Sequence, residues 1–240
     1  MRAVLLDVEG TTTPLAFVAD VLVPYARRHL RHSIERYAST PEYVPLIEQL
    51  REEHAIDCGA GQPVPAWVDA PDSERLESAI RYLEWLMERD RKSTVLKALQ
   101  GRIWEEGYRG GQLQGQVFAD VPAALERWRA QGLDIGIFSS GSILAQQLLF
   151  RHSSAGDLTP FLRWYFDTTT GAKTDLASYR RIAATMAMPA EAVLFVSDVA
   201  RELDAARTAG MHTRLSVRPG HPPPPADHGY TVVRTFDDVS

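Results

Sequence analysis

A doubly wound α/β fold, with a parallel sheet and a helical cap inserted after its first strand, is what this 240-residue sequence predicts. Three observations predict it. Short apolar runs recur at 3–6, 133–138, 162–166, 192–197 and 212–217, and from the second onward helical patterns separate them. Alternation of that kind means parallel strands joined by helical crossovers and covered on both faces. Between the first run and the second lie more than a hundred residues that read almost wholly helical. The expected division is therefore an α/β core from 1–15 and 116–240, with a helical cap from 16–115.

The elements follow in order. "AVLL" (3–6) reads as a buried strand, and it breaks off into Asp7, Glu9, Gly10 and three threonines. In the insertion Leu76, Ile80, Leu83 and Met87 repeat at helical spacing, as do Leu96, Leu99 and Ile103, giving buried helix faces. Asp120 is expected to cap a helix with Pro122 in its first turn, Leu125 and Trp128 inside, and Gly132 as its stop. "LDIGIF" (133–138) is the second strand, and Ser142 begins the helix "SILAQQLLF". After "LRWYF" (162–166), "ASYRRIAATMAM" places Tyr179, Ile182 and Met186 on one face, and Pro189 ends it. "AVLFVS" and "HTRLSV" are the next strands. "GHPPPPADHG" (220–229) reads as a solvated loop in which His221 and His228 are loop histidines, and "YTVVRTF" reads as the last strand.

Composition narrows the function. A hydrophobic content of 45% with 24% charged residues is ordinary for a globular chain, and a formal charge of −5 disfavours binding nucleic acid by bulk electrostatics. A single cysteine, Cys58, excludes intramolecular disulfides and cysteine-cluster metal sites, and suits a reducing cytoplasm. "MRAVLL" meets Asp7 before an apolar signal region develops, and no stretch approaches a membrane span. The expected partner is a small molecule, acted on by a cytoplasmic monomer without nucleic acid or membrane.

Polar groups gather at four strand ends: Asp7 and Glu9 after the first, Ser139, Ser140 and Gly141 after the second, Lys173 after the third, Ser197 and Asp198 after the fourth. Taken singly, an aspartate there reads as a turn cap and a lysine as a solvated charge. Taken together they share one rim of the sheet, where ligands of open parallel sheets bind. The insertion leaves the sheet beside that rim, as a lid would.

Their chemistry is complementary. Mg²⁺ takes one or two carboxylates together with substrate phosphate and water, which Asp7 and Asp198 can supply. Asp7, Glu9 and Asp198 gathered without a cation would raise one another's pKa values. "SSGS" opens a helix, so hydroxyls and free N–H groups would face a phosphate, and Lys173 would add a point charge. Asp7 can then attack phosphorus, with Glu9 shuttling a proton to the leaving oxygen. Glu202 and Asp204 lie one helical turn on, either to orient the metal's waters or to face solvent.

These motifs resemble those of the haloacid dehalogenase superfamily of phosphohydrolases: Asp7-Val8-Glu9-Gly10-Thr11, "FSSGS", Lys173, and "SDVARELDAA" from Ser197. "DVEGTTTP", "FVADVLVPYAR", "DRKSTVLKALQGRIWEEGY", "QLLFRHSSAGDLTPF" and "YFDTTTGAKTDLASYRRIA" are similar to the acireductone synthase family, the bifunctional enolase-phosphatases of methionine salvage. Glu9, where the wider superfamily usually has Asp, agrees with that narrower likeness. The resemblance implies one Mg²⁺ per subunit at Asp7, Glu9 and Asp198, and substrate binding by Ser139, Ser140 and Lys173. It also implies the substrate, 2,3-diketo-5-methylthiopentyl 1-phosphate, enolised and then dephosphorylated to an acireductone. The competing readings are a sugar-phosphate phosphatase of the same architecture, a non-catalytic phosphorylatable receiver-like module and a metal-free dehalogenase.

Overall fold

Ala3, Val4, Leu5 and Leu6 have no exposed surface, because they form the strand β1 (Ala3–Leu6) inside the sheet, with a neighbour on either side. The computed structural model describes residues 1–89, 91, 93–220 and 229–239. Its sheet adds β2 (Asp134–Phe138), β3 (Trp164–Phe166), β4 (Val193–Ser197), β5 (His212–Ser216) and β6 (Val232–Val233). All pairings are parallel, in the order β3-β2-β1-β4-β5-β6. Ala3 lies opposite Asp134 on one side and Val193 on the other, so the chain order reverses across β1. Ligands of such sheets collect at that switch point, beyond the carboxyl ends of the strands.

The chain divides into two compact units, Met1–Val18 with Gly111–Ser240, and Ala19–Gly110. One turn of helix, α1 (Leu15–Phe17), and a π-turn (Val18–Leu22) lead into the second unit. There α2 (Val23–Tyr37), α3 (Val44–Gly59), α4 (Asp72–Glu88) and α5 (Thr94–Arg109) bury one continuous apolar cluster. Ile80, Leu83, Leu96, Leu99 and Ile103 sit within it, while Leu76 and Met87 pack at its margin. Ser93 caps α5, its hydroxyl accepting the Leu96 N–H at 3.0 Å. One expectation of near-continuous helix is corrected between α3 and α4. Three prolines, Pro63, Pro65 and Pro71, hold that stretch out of helix, and neighbouring side chains take its free backbone groups. Trp85 Nε1 donates to Pro63 O at 2.9 Å, and Val68 N–H donates to the Ser78 hydroxyl at 3.0 Å.

In the sheet unit, α6 (Val121–Ala130), α7 (Ile143–Arg151), α8 (Leu176–Thr185) and α9 (Ala200–Thr208) are the remaining helices. Tyr179, Ile182 and Met186 pack with Phe138, Phe195 and Leu203 in one buried cluster. Ser142 caps α7 as expected, accepting the Ala145 N–H at 3.2 Å. Gly132 ends α6 at φ 78°. Asp120, by contrast, makes no side-chain cap. Its carboxylate is drawn away by Arg218 Nη1 at 2.7 Å and by the Phe236 N–H at 2.6 Å. The last strand is also shorter than expected. Thr235 and Asp238 form a reciprocal capping box that turns the chain after Val233. Residues 221–228, which hold His221, His228 and the whole run of four prolines, lie outside the described residues.

Candidate active site

The strand β1 delivers Asp7 into a tight turn. The N–H groups of Thr11, Thr12 and Thr13 converge on the Val8 carbonyl at 3.2, 3.0 and 2.9 Å, and Gly10 adopts φ 71°. A positive φ there suits glycine, since the Cβ of any other residue would crowd the adjacent backbone carbonyl. The Thr12 hydroxyl lies 3.2 Å from the carbonyl oxygens of both Asp7 and Val8. So the polar run after the strand winds the chain back and leaves Glu9 exposed at the turn, on the same cleft as Asp7.

That cleft is lined by Asp7, Glu9, Leu15, Ser139, Ser140, Lys173, Asp198, Val199 and Glu202. Every residue that the sequence singled out for catalysis, substrate or metal therefore meets at one place. Asp7 is buried. Its Oδ1 accepts the Val8 N–H at 2.7 Å and stands 2.6 Å from Lys173 Nζ, while Oδ2 accepts the Ser197 hydroxyl at 3.1 Å. Lys173, only 7% exposed, reaches Glu202 Oε2 at the same 2.6 Å. The Tyr179 hydroxyl donates to Lys173 O at 2.7 Å, pinning the lysine's backbone. The turn before it needs Gly171, since a Cβ there would lie 2.2 Å from Arg181 Nη2 and 2.4 Å from Ser178 Oγ.

Glu202 is the residue that sequence reasoning left open, and the fold assigns it to the cleft. It is buried on the first turn of α9, bonded to Lys173 and 2.9 Å from the Ser197 hydroxyl. That hydroxyl owns one proton for two carboxylates, so Asp7 and Glu202 compete for it. Asp204 is instead a surface residue, paired with Arg207 at 2.9 Å and with Tyr230. The spacing of four between Asp198 and Glu202 was the available signal: a helix starting at Ala200 returns Glu202 toward the strand end.

The loop 139–142 departs from expectation in one respect. Within it Ser139 N–H donates to Phe166 O and Gly141 N–H to Ser139 Oγ, each at 3.1 Å, and at the start of α7 Ile143 N–H donates to Asp167 Oδ2 at 3.3 Å and Ala145 N–H to Ser142 Oγ. Ser139, buried, and Ser140, exposed, are the members of the loop that line the cleft.

The electrostatics are lopsided, with four carboxylates facing one lysine around the cleft. Burial, and then the Asp7 charge, pushes the Asp198 carboxyl up to about 7. Burial and Asp7 likewise raise Glu202. Burial alone would lower Lys173, but Asp7 and Glu202 outweigh it and hold the ammonium above its usual value. Such a donor set suits a hard divalent cation, which would relieve the repulsion that raises Asp198. Among the described residues, no group of three or more His, Cys, Asp or Glu side chains could hold a metal ion. Asp7 and Asp198, which line the same cleft, fit a cation that takes one or two carboxylates and completes its shell with water and substrate, as Mg²⁺ does.

No helix among the described residues is long and apolar enough to cross a membrane. Residues 1–210 match the family of haloacid dehalogenase-like hydrolases. The chain is 49% identical to enolase-phosphatase E1 of Synechococcus elongatus, over 100% of its own length and 98% of that protein's. It is 41% identical to a probable bifunctional methylthioribulose-1-phosphate dehydratase/enolase-phosphatase E1 of Vitis vinifera, covering 99% of this chain and 47% of that protein. The crystal structure of the UTR4 protein of Saccharomyces cerevisiae superposes with a TM-score of 0.78 at 31% identity, covering 98% of each chain. Full-length identity at this level, on a sheet whose rim gathers the carboxylates and the lysine, puts the chain in the enolase-phosphatase E1 family of haloacid dehalogenase-like hydrolases.

Proposed function

We propose that the chain enolises 2,3-diketo-5-methylthiopentyl 1-phosphate and then removes its phosphate, releasing the acireductone 1,2-dihydroxy-5-(methylthio)pent-1-en-3-one in methionine salvage. The observation that carries the reading is the convergence of Asp7, Glu9, Ser139, Ser140, Lys173 and Asp198 on one cleft. The Vitis vinifera relative supports the methylthio substrate, because its name joins this activity to a methylthioribulose-1-phosphate dehydratase.

Ser139, Ser140 and the Lys173 ammonium hold the phosphate oxygens. Asp7 Oδ2, which carries one hydrogen bond against the two contacts on Oδ1, is the attacking oxygen. Glu9, exposed and reprotonated from solvent after the enol forms, gives that proton to the ester oxygen as it leaves and the Asp7–phosphorus bond forms. Glu9, now a carboxylate, removes a proton from water as that water attacks phosphorus, and the Asp7–phosphorus bond breaks to release phosphate. In the earlier half-reaction Glu9 takes the proton from the carbon bearing the ester and returns it to the neighbouring carbonyl oxygen. Glu202 and Ser197 keep Lys173 and Asp7 in register throughout. A Mg²⁺ would be held by the Asp7 and Asp198 carboxylates and the Glu9 backbone carbonyl. When bound it supplies Lewis-acid polarisation of the carbonyl and offsets the phosphate charge.

The test is incubation with the diketone phosphate and Mg²⁺, following the enol by absorbance and phosphate by release. Wild-type protein should give both signals, and Asp7→Asn should give the enol with phosphate release abolished. Phosphate release from sugar phosphates with no enol from the diketone would instead establish the sugar-phosphatase reading.

A further inference from the structure

Arg218, which follows β5, is buried although it is a cation outside the cleft. Its Nε donates to Thr11 O at 2.8 Å, and its Nη1 donates to Asp120 Oδ2 at 2.7 Å and to Arg234 O at 3.1 Å. The guanidinium lies 4.7 Å from the Phe118 ring centroid and 4.3 Å from that of Phe236. Two residues earlier, the Ser216 hydroxyl donates to Gly10 O at 3.2 Å. Phe118 N–H donates to Thr12 O at 2.9 Å. Three successive carbonyls after Glu9, those of Gly10, Thr11 and Thr12, are thus each fixed by a donor from elsewhere in the fold.

A buried arginine needs a return for its desolvation, and a fixed charge pair alone seldom supplies it. Here the guanidinium's planar fork addresses a backbone carbonyl and a carboxylate together, a geometry that a lysine cannot reproduce. The turn it holds is the one that carries Glu9 from the strand bearing Asp7. We propose that Arg218, with Ser216, is a positioning residue for Glu9: it fixes the Gly10–Thr12 turn so that the Glu9 carboxylate stays aligned for proton transfer. The inference rests on the acid–base role given to Glu9 above.

Displacement of a catalytic group by about an ångström can cost about a hundredfold in rate without touching substrate contacts. Arg218→Lys keeps a cation beside Asp120 but loses the fork. It should lower kcat for phosphate release by about tenfold to a hundredfold, with KM within about twofold of wild type. Ser216→Ala, which removes only the bond to Gly10 O, should lower kcat by a smaller factor in the same direction. The decisive measurement is a double-mutant cycle with Glu9→Gln, on variants shown by circular dichroism to be folded at the assay temperature. If Arg218 acts through Glu9, Arg218→Lys should change kcat little in the Glu9→Gln background. A full, multiplicative loss there would overturn the proposal, as would unchanged kcat in both Arg218→Lys and Ser216→Ala. A Glu9→Gln protein with wild-type kcat would overturn the underlying acid–base reading instead, so the two failures are distinguishable.

Discussion

Lys173→Met removes the ammonium that stands 2.6 Å from both Asp7 and Glu202, and leaves the apolar part of the side chain in place. All three groups are buried, so neither carboxylate can turn to solvent for compensation. Breaking a buried pair by deleting one partner costs about 3–5 kcal/mol, because a charge is left behind uncompensated. Here two are left. At 2–4 °C per kcal/mol for a chain of this size, the melting temperature should fall by about 6–20 °C in metal-free buffer near neutral pH. Lowering the pH should recover part of the loss, since Glu202 is already pushed up by burial and Asp7 and takes a proton readily. The wild-type contribution runs the other way. Lys173 is raised, so its stabilisation is fully present below the usual lysine pKa and is lost only as pH rises through the higher folded value. Thermal unfolding of both proteins across pH, with phosphate release in parallel, reads both effects. A variant that melts within about a degree of wild type at neutral pH would refute the charge argument, since the cost expected is several times larger.

Three further outcomes follow from other parts of the molecule. Glu9→Gln should lose phosphate release by about a hundredfold or more and slow enol formation as well, as expected for removal of a general acid–base; normal enol accumulation with only dephosphorylation lost would assign the enolisation base to another residue. In metal-free protein the Asp198 carboxyl is raised to about 7, so the folded state gives up stability as pH climbs through that value. Mg²⁺ binds the ionised form, and its gain in melting temperature should be larger at roughly pH 8 than at roughly pH 6; an equal gain at both would contradict the assignment. Leu99→Ala, at a position with no exposed surface in the helical cluster, should destabilise that unit by about 2–5 kcal/mol. Hydrogen exchange should then quicken first in α2–α5, and uniform quickening across the sheet would count against separate compact units.

Asp7, Glu9, Ser139, Lys173 and Asp198 were legible because parallel topology forces every strand to end on the same rim, whatever lies between. Glu202 was not, since a glutamate on a first helical turn is equally at home in solvent; only the packing of α9 against β4 buries it beside Lys173. Asp120 looked like a helix cap because caps are local and its true partner, Arg218, is 98 residues away. The stretch between α3 and α4 was misread for a related reason. Its apolar residues mimic helical spacing, while its prolines find partners in Trp85 and His54 that no local pattern announces. Of the amides expected to be free at "SSGS", those of Ser139 and Gly141 are taken by Phe166 O and Ser139 Oγ, partners that the local sequence pattern does not announce.

The place of β1 in the sheet has a consequence for biosynthesis. Leu6 pairs with Ile137 on one side and Val196 on the other, so its partners lie 131 and 190 positions downstream. At about 5–20 residues per second the ribosome takes roughly ten to forty seconds to make the second partner after the first strand is complete. Until the first of these partners is made, four apolar residues and Asp7 wait unpaired, while all of α2 to α5 is made. A central strand that closes such long loops is slow to dock and is exposed to wrong pairing in the meantime. Its brevity, at four residues followed at once by Asp7, limits the sticky surface the nascent chain presents. Asp7 acquires its surroundings only once Lys173 and Ser197, made far downstream, have folded beside it.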